Sequence, residues 1–234
     1  MTPSRSGPPR RPRPVGAGDP TVVLAELPPG RNDWRRAATG LARSLRVLVF
    51  EADLAPGVGP PGPGRDPGSS PVAELAGLLE VLDHWPAHLV GVGRAGGLAL
   101  EVARQRPELV RGLVLHEPEG PELLGTSADL LVASEPIVAR GESGEPGPPG
   151  SRSGAGEGLS DRLAPGDLEH PVLVSAGSES PLPRRQAAWR LSVRLPNARW
   201  VLLPGVAGQP HQESPDLYVA VVTEFLTVRW VPPS

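Results

Sequence analysis

The stretch HLVGVGRAGGLALE, residues 88–101, decides the fold of this 234-residue chain. Its first residues form a short apolar run of the kind that makes a buried parallel strand, and its last residues follow helical spacing. Glycines at 91, 93, 96 and 97 separate the two halves and predict a tight turn. We therefore expect a strand that turns directly into a helix, which Pro107 ends after about Arg106.

The same alternation continues on both sides of this stretch. Five further apolar runs predict strands at 21–25, 46–50, 110–115, 171–176 and 199–203. Apolar residues at helical spacing predict helices over about 34–45, 72–82, 126–140, 183–195 and 214–226. This order predicts an α/β fold: a single, mostly parallel sheet of about six strands with helices on both faces.

Glycine and proline, 29 and 32 residues respectively, make up about a quarter of the chain but are unevenly distributed. They concentrate at 1–20, 55–71 and 141–158. The first cluster predicts a disordered N-terminal tail, and the other two predict flexible excursions within one domain spanning 21–230. Any cap over the sheet is expected to be short or disordered.

Composition argues against several classes of protein. A net charge of −3 gives no electrostatic reason to expect nucleic acid or an anionic membrane as a partner. The absence of cysteine excludes disulfides, thiolate metal sites and a cysteine nucleophile, and we predict neither a metal nor a cofactor. Because no apolar run approaches a membrane span or follows the pattern of a secretory signal, we expect a soluble, cytoplasmic protein.

Residues 88–101 resemble the strand, nucleophile elbow and helix of the α/β-hydrolase family, whose motif is G-x-S-x-G. Gly91 and Ala95 match the small residues that flank the family's serine, and Gly93 stands where that serine would be. The resemblance extends over roughly residues 21–226. Its other matching features, in order and spacing, are Trp34, Asp53, RPELVRGLVLHEP at 106–118, PVLVSAG at 171–177 and LPNARWVLLPG at 195–205.

The resemblance implies a triad of serine, histidine and acid, but the matching positions carry other residues. Gly93 replaces the nucleophile, Gly208 replaces the histidine and Ser180 stands at the usual acid position. Glycine offers no nucleophile, base or proton, so these positions cannot perform the family's acyl transfer. Glu117 is a candidate for a relocated acid and His211 for a relocated base. Their alternatives are a loop-capping or ion-paired carboxylate and a histidine behind the site or on the surface.

The altered turn still has features of a ligand-binding site. Backbone N–H groups of Arg94 and Ala95 at the start of a helix favour an anion, and the Arg94 guanidinium could add a forked donor or be held in a salt bridge. Glu26 falls in the region of the family's oxyanion hole, where a carboxylate would repel a developing oxyanion. We predict that Glu26, Gly93, Arg94 and Ala95 line a pocket for a small organic ligand, anionic in character.

The leading hypothesis is a pseudoenzyme: a hydrolase-like protein that binds a ligand or serves as an accessory subunit. A working esterase-like hydrolase with relocated residues is the main alternative. The pattern G-x-G-x-x-G at 91–96, with Glu117 after the next strand, also matches a dinucleotide-binding fingerprint. A degenerate gene product without activity is a further alternative.

Overall fold

The structure is a computed structural model that describes residues 14–26, 33–52, 54, 71–81, 85–119 and 168–228. Most of the predicted N-terminal tail lies outside these residues, as do the excursion at 141–158 and the helix predicted over 126–140. Of the excursion predicted at 55–71, only Pro71 is described.

Six parallel strands form one sheet in the order β2-β1-β3-β4-β5-β6. The strands are β1 (Pro20–Glu26), β2 (Arg46–Ala52), β3 (Ala87–Val92), β4 (Val110–His116), β5 (Val172–Gly177) and β6 (Ala198–Leu203). All six strands coincide with the predicted apolar runs to within two residues at either end. The predicted fold class is therefore confirmed.

Helices cover both faces of the sheet in the described part of the chain. They are α1 (Arg35–Leu41), α2 (Pro71–Val81), α3 (Arg94–Gln105), α4 (Leu182–Arg194), α5 (Pro210–Glu213) and α6 (Pro215–Thr227), with a short 3-10 turn at Pro107–Leu109. Side chains alternate across each strand, so Val22 and Leu24 pack with α2 and α3, whereas Val23 and Ala25 pack with α1 and α6. This division creates two hydrophobic layers, one on each side of the sheet.

Two helices differ from their predicted extents. The first ends at Leu41 instead of reaching residue 45, because the Arg43 and Ser44 N–H groups bond carbonyls three residues back and tighten the last turn. The last is preceded by a separate turn, α5, because prolines at 210 and 215 each begin a new helical segment. None of the helices in the described ranges is long and apolar enough to cross a membrane.

Candidate functional site

Gly93 lies at the crest of a sharp turn between the central strand β3 and helix α3. Its backbone has φ 58° and ψ −126°, a conformation that favours glycine. The Gly93 N–H donates to the His116 carbonyl at 2.9 Å, and its own carbonyl accepts from the Glu119 N–H at 2.8 Å. The loop after β4 therefore holds the crest in place, at the position predicted for a nucleophile elbow.

The residues around Gly93 are small because larger side chains would clash in this turn. A Cβ atom added to Gly91 would lie 2.5 Å from the Ala95 carbonyl oxygen, which is closer than real contacts allow. One added to Gly96 would lie 3.1 Å from the Pro118 side chain. The turn can thus bring β3 and α3 together only with small residues at these places.

The crest itself has room for a side chain. A Cβ atom on Gly93 would meet no atom closer than the carboxyl carbon of Glu119, at 3.9 Å. That carboxylate is paired with Arg184 of α4, with 2.9 Å between Glu119 Oε1 and Arg184 Nη2. An ion pair therefore lies next to the position where the family has its serine.

The loop after β6 brings three of the predicted site positions together. Gly208 has φ 130°, and a Cβ atom there would lie 3.6 Å from Glu117 Oε2 and 3.9 Å from Ser180 Oγ. Arg184 Nη1 would be 4.0 Å away. The expected histidine position, the usual acid position and the candidate relocated acid thus surround one small space.

Glu117 is buried, with 3% of its surface exposed, and it is a non-glycine residue with positive φ, at 43°. Oε1 accepts a hydrogen bond from the Gly177 N–H at 3.0 Å, whereas Oε2 has no partner among the described residues. One oxygen therefore caps a loop, as one hypothesis proposed, and the other faces the space at Gly208. Such a backbone conformation is costly and tends to occur at functional sites.

Two other groups beside this space carry no charge. Ser180 is 3% exposed and its Oγ has no hydrogen-bond partner among the described residues. His116 Nε2 lies 3.8 Å from Glu117 Oε1, but burial lowers the pKa of His116 to about 3. Because this histidine is neutral at physiological pH, it does not balance the charge of Glu117.

His211 lies in the hydrophobic layer that contains α1 and α6. Its ring stacks on Trp34 with 4.0 Å between ring centroids and 4° between planes, and 1% of the residue is exposed. Burial lowers its pKa to about 4, which makes the imidazole a weak base. This position agrees with a histidine behind the site rather than on the surface.

Arg94 and Glu26 form an ion pair beside the elbow, between Arg94 Nη2 and Glu26 Oε1. The other terminal nitrogen of Arg94 donates to the Leu54 carbonyl at 3.1 Å. The arginine thus neutralises the carboxylate that was expected to disturb the oxyanion-hole region, and its guanidinium is engaged on both branches. Ala95 is buried at the start of α3.

The charges of the site sum to a net negative value. Glu26 is paired with Arg94 and Glu119 with Arg184, which leaves the buried carboxylate of Glu117 without a cationic partner among the described residues. Within those ranges, no group of three or more histidine, aspartate or glutamate side chains could hold a metal ion.

The architecture and the elbow together define an α/β-hydrolase fold, and comparisons with solved structures agree. A serine hydrolase involved in carbazole degradation superposes with a TM-score of 0.64 and 16% identity, over 92% of this chain and 93% of that one. A thermophilic esterase from Thermogutta terrifontis gives a TM-score of 0.61 and 17% identity, over 92% of each chain. At these identities the similarity establishes the fold alone.

One curated relative matches by sequence. It is 2-hydroxy-6-oxo-2,4-heptadienoate hydrolase of Pseudomonas putida, 34% identical over 133 residues. The match covers 53% of this chain and 46% of the relative, so it spans less than half of that enzyme. No family model matches the chain.

Sequence reasoning missed Glu119 and Arg184. Glu119 stands in the loop after the fourth predicted strand, and nothing in the sequence pattern paired it with an arginine of α4. In the folded structure Glu119 lies beside Gly93, Arg184 lies beside Gly208, and the two side chains form an ion pair.

Proposed function

We propose that this α/β-hydrolase-fold protein does not carry out acyl transfer and instead binds a small organic ligand in the space beside Gly93 and Gly208. One observation carries the proposal: at both glycines the position that a Cβ atom would take is unfilled. The nearest atom to an added Cβ is 3.9 Å away at Gly93 and 3.6 Å away at Gly208. Atoms of neighbouring residues have therefore not moved into the positions of the two missing Cβ atoms.

The nearby residues support binding better than hydrolysis. A serine nucleophile needs a base within hydrogen-bond reach, and Ser180 Oγ has no such partner in the described part of the chain. His211 packs flat against Trp34 and its lowered pKa makes it a poor proton acceptor. A relocated triad built on these residues would have to rearrange before it could act.

The structure bears differently on the two features that predicted an anionic ligand. The Arg94 guanidinium was one of two reasons to expect an anion, but it is paired with Glu26 and bonded to the Leu54 carbonyl. The N–H groups at the start of α3 still favour an anionic end group. The arginine itself therefore supports an anion less than its position in the sequence suggested.

The test is turnover of two substrates by the purified chain: p-nitrophenyl butyrate, and the dienoate in the name of the Pseudomonas relative. We expect no hydrolysis above the buffer rate, because neither loop holds a nucleophile or a base. The comparison variant carries both Gly93→Ser and Gly208→His. Its new Cβ atoms meet no neighbour closer than 3.6 Å, but both backbones have positive φ, at 58° and 130°, so circular dichroism must first show that the variant is folded. We expect that variant to hydrolyse the ester at least about tenfold faster than either single variant.

The competing hypothesis, a working hydrolase with relocated residues, predicts a different result. Hydrolysis by the unaltered chain, lost on Ser180→Ala or Glu117→Gln, would support that alternative and overturn the proposal. Circular dichroism of each variant shows whether a lost rate reflects lost folding.

A further inference from the structure

Two buried polar atoms beside Gly208 have no hydrogen-bond partner among the described residues. They are Glu117 Oε2 and Ser180 Oγ, which would lie 3.6 Å and 3.9 Å from a Cβ atom on Gly208. Both residues are 3% exposed. Buried polar atoms are nearly always hydrogen-bonded in folded proteins, so these two atoms need a partner that the described residues do not supply.

The chemistry of the two atoms limits what that partner can be. An ionised carboxylate only accepts hydrogen bonds, and a serine hydroxyl accepts or donates one. The Gly177 N–H already serves Glu117 Oε1, which leaves Oε2 as the acceptor that needs a donor. A ligand that enters this space must therefore present an N–H or O–H group to Glu117.

Charge favours a cationic donor. The guanidinium closest to the space, that of Arg184, is paired with Glu119 at 2.9 Å. His116 is neutral, and no other cation pairs with Glu117 in the described part of the chain. A protonated nitrogen would balance the buried carboxylate of Glu117, and hydrogen bonds between charged groups are stronger than those between neutral groups.

We propose that Glu117, Ser180 and Gly208 form a binding site for the protonated nitrogen of a small ligand, an imidazolium or alkylammonium group. The ligand's N–H donates to Glu117 Oε2, and Ser180 Oγ takes the second polar position. Because Gly208 has no side chain, the Cβ position beside these two polar atoms is unfilled. This inference deepens the proposed function and rests on it, since it assigns a ligand class to the same site.

The test uses imidazole itself as the probe, at pH 7.0, with the full chain. Saturation-transfer NMR and calorimetry are expected to show saturable binding to the unaltered protein. Glu117→Gln keeps an oxygen to accept from the Gly177 N–H but loses the charge, and we expect it to weaken imidazole binding about tenfold or more. Ser180→Ala, a second and milder variant, is expected to weaken binding about threefold.

A matched control lies on the same loop. Glu179 is an exposed carboxylate next to Ser180, and its side chain accepts from the Ser178 hydroxyl. Glu179→Gln is expected to leave the affinity for imidazole unchanged, because this charge lies outside the buried space. Acetate, an anionic probe of similar size, is expected not to displace imidazole, because the Glu117 carboxylate repels an anion at this position.

Two results would overturn the inference: no saturable imidazole binding by the unaltered chain, or equal binding by the Glu117→Gln variant when that variant is folded. Saturable acetate binding without imidazole binding would also overturn it and would favour an anionic ligand. Neither result depends on ester turnover. The inference can therefore fail while the proposed function stands, and turnover by the unaltered chain would refute the proposed function whatever imidazole does.

Discussion

Three buried histidines should make this protein lose stability as the pH falls from 7.5 to 5. His88, His116 and His211 are 7%, 0% and 1% exposed. Burial lowers the pKa of His88 and His211 from 6.5 to about 4, and that of His116 to about 3. In the unfolded chain these side chains return to about 6.5 and bind protons more readily. Stability is therefore full above pH 6.5 and is lost as the pH falls towards the folded values.

The size of the loss follows from the difference between folded and unfolded pKa values. At pH 5, a histidine shifted from 6.5 to about 4 costs about 2 kcal/mol of unfolding free energy. Because His116 and His88 contribute similar amounts, the total loss is about 6 kcal/mol. That loss is comparable with the whole stability of many domains, about 5–15 kcal/mol. We expect the protein to be close to unfolding at pH 5, before most carboxylates titrate.

Urea unfolding at pH 7.5 and pH 5.0 measures this loss directly. His211→Phe keeps a ring against Trp34 but removes one titrating group, so its loss should be about 4 kcal/mol instead of about 6. The unaltered chain, measured under the same two conditions, is the reference. If His211→Phe loses as much stability as the unaltered chain, burial of that imidazole is not a source of the acid sensitivity.

Two further predictions concern packing and charge near the elbow. Gly91→Ala should lower the unfolding free energy by more than about 3 kcal/mol, because its Cβ would lie 2.5 Å from the Ala95 carbonyl oxygen. Gly77→Ala is the control: no atom lies within 4 Å of its Cβ, and alanine favours a helix over glycine, so this variant should raise the unfolding free energy by about 0.5–1 kcal/mol. Equal urea midpoints for the two variants would contradict this steric account. Arg94→Met and Glu26→Gln should show a coupling of about 1 kcal/mol in a double-mutant cycle, since the ion pair is partly shielded from solvent. A coupling near zero would show that the pair contributes nothing.

The sheet was predictable because its strands are short apolar runs separated by glycine, proline and helical spacing. A parallel sheet buries both faces of its strands, so runs such as VLVF at 47–50 and VLV at 172–174 are apolar at successive positions and easy to recognise. Helix ends were harder to predict. The early end of α1 depends on hydrogen bonds from Arg43 and Ser44, which leave no pattern of apolar residues.

The candidate site was predictable only in part. In a parallel sheet the loops that follow the strands meet at one edge, and Glu117, Ser180 and Gly208 lie together in such loops. Contacts between particular side chains that are far apart in the sequence could not be predicted from the order of strands and loops. The stacking of His211 on Trp34 and the pairing of Glu119 with Arg184 depend on tertiary packing, which spacing along the chain does not encode.

The central claim is that the two loops which house the family's chemistry hold no reactive nucleophile. Intact-protein mass spectrometry after incubation with a fluorophosphonate tests this most directly, because the probe attaches covalently to an activated serine. We predict no mass increase for the unaltered chain under conditions that label the variant carrying Gly93→Ser and Gly208→His. Addition of one probe per unaltered chain, mapped to Ser180 or another serine, would contradict the account.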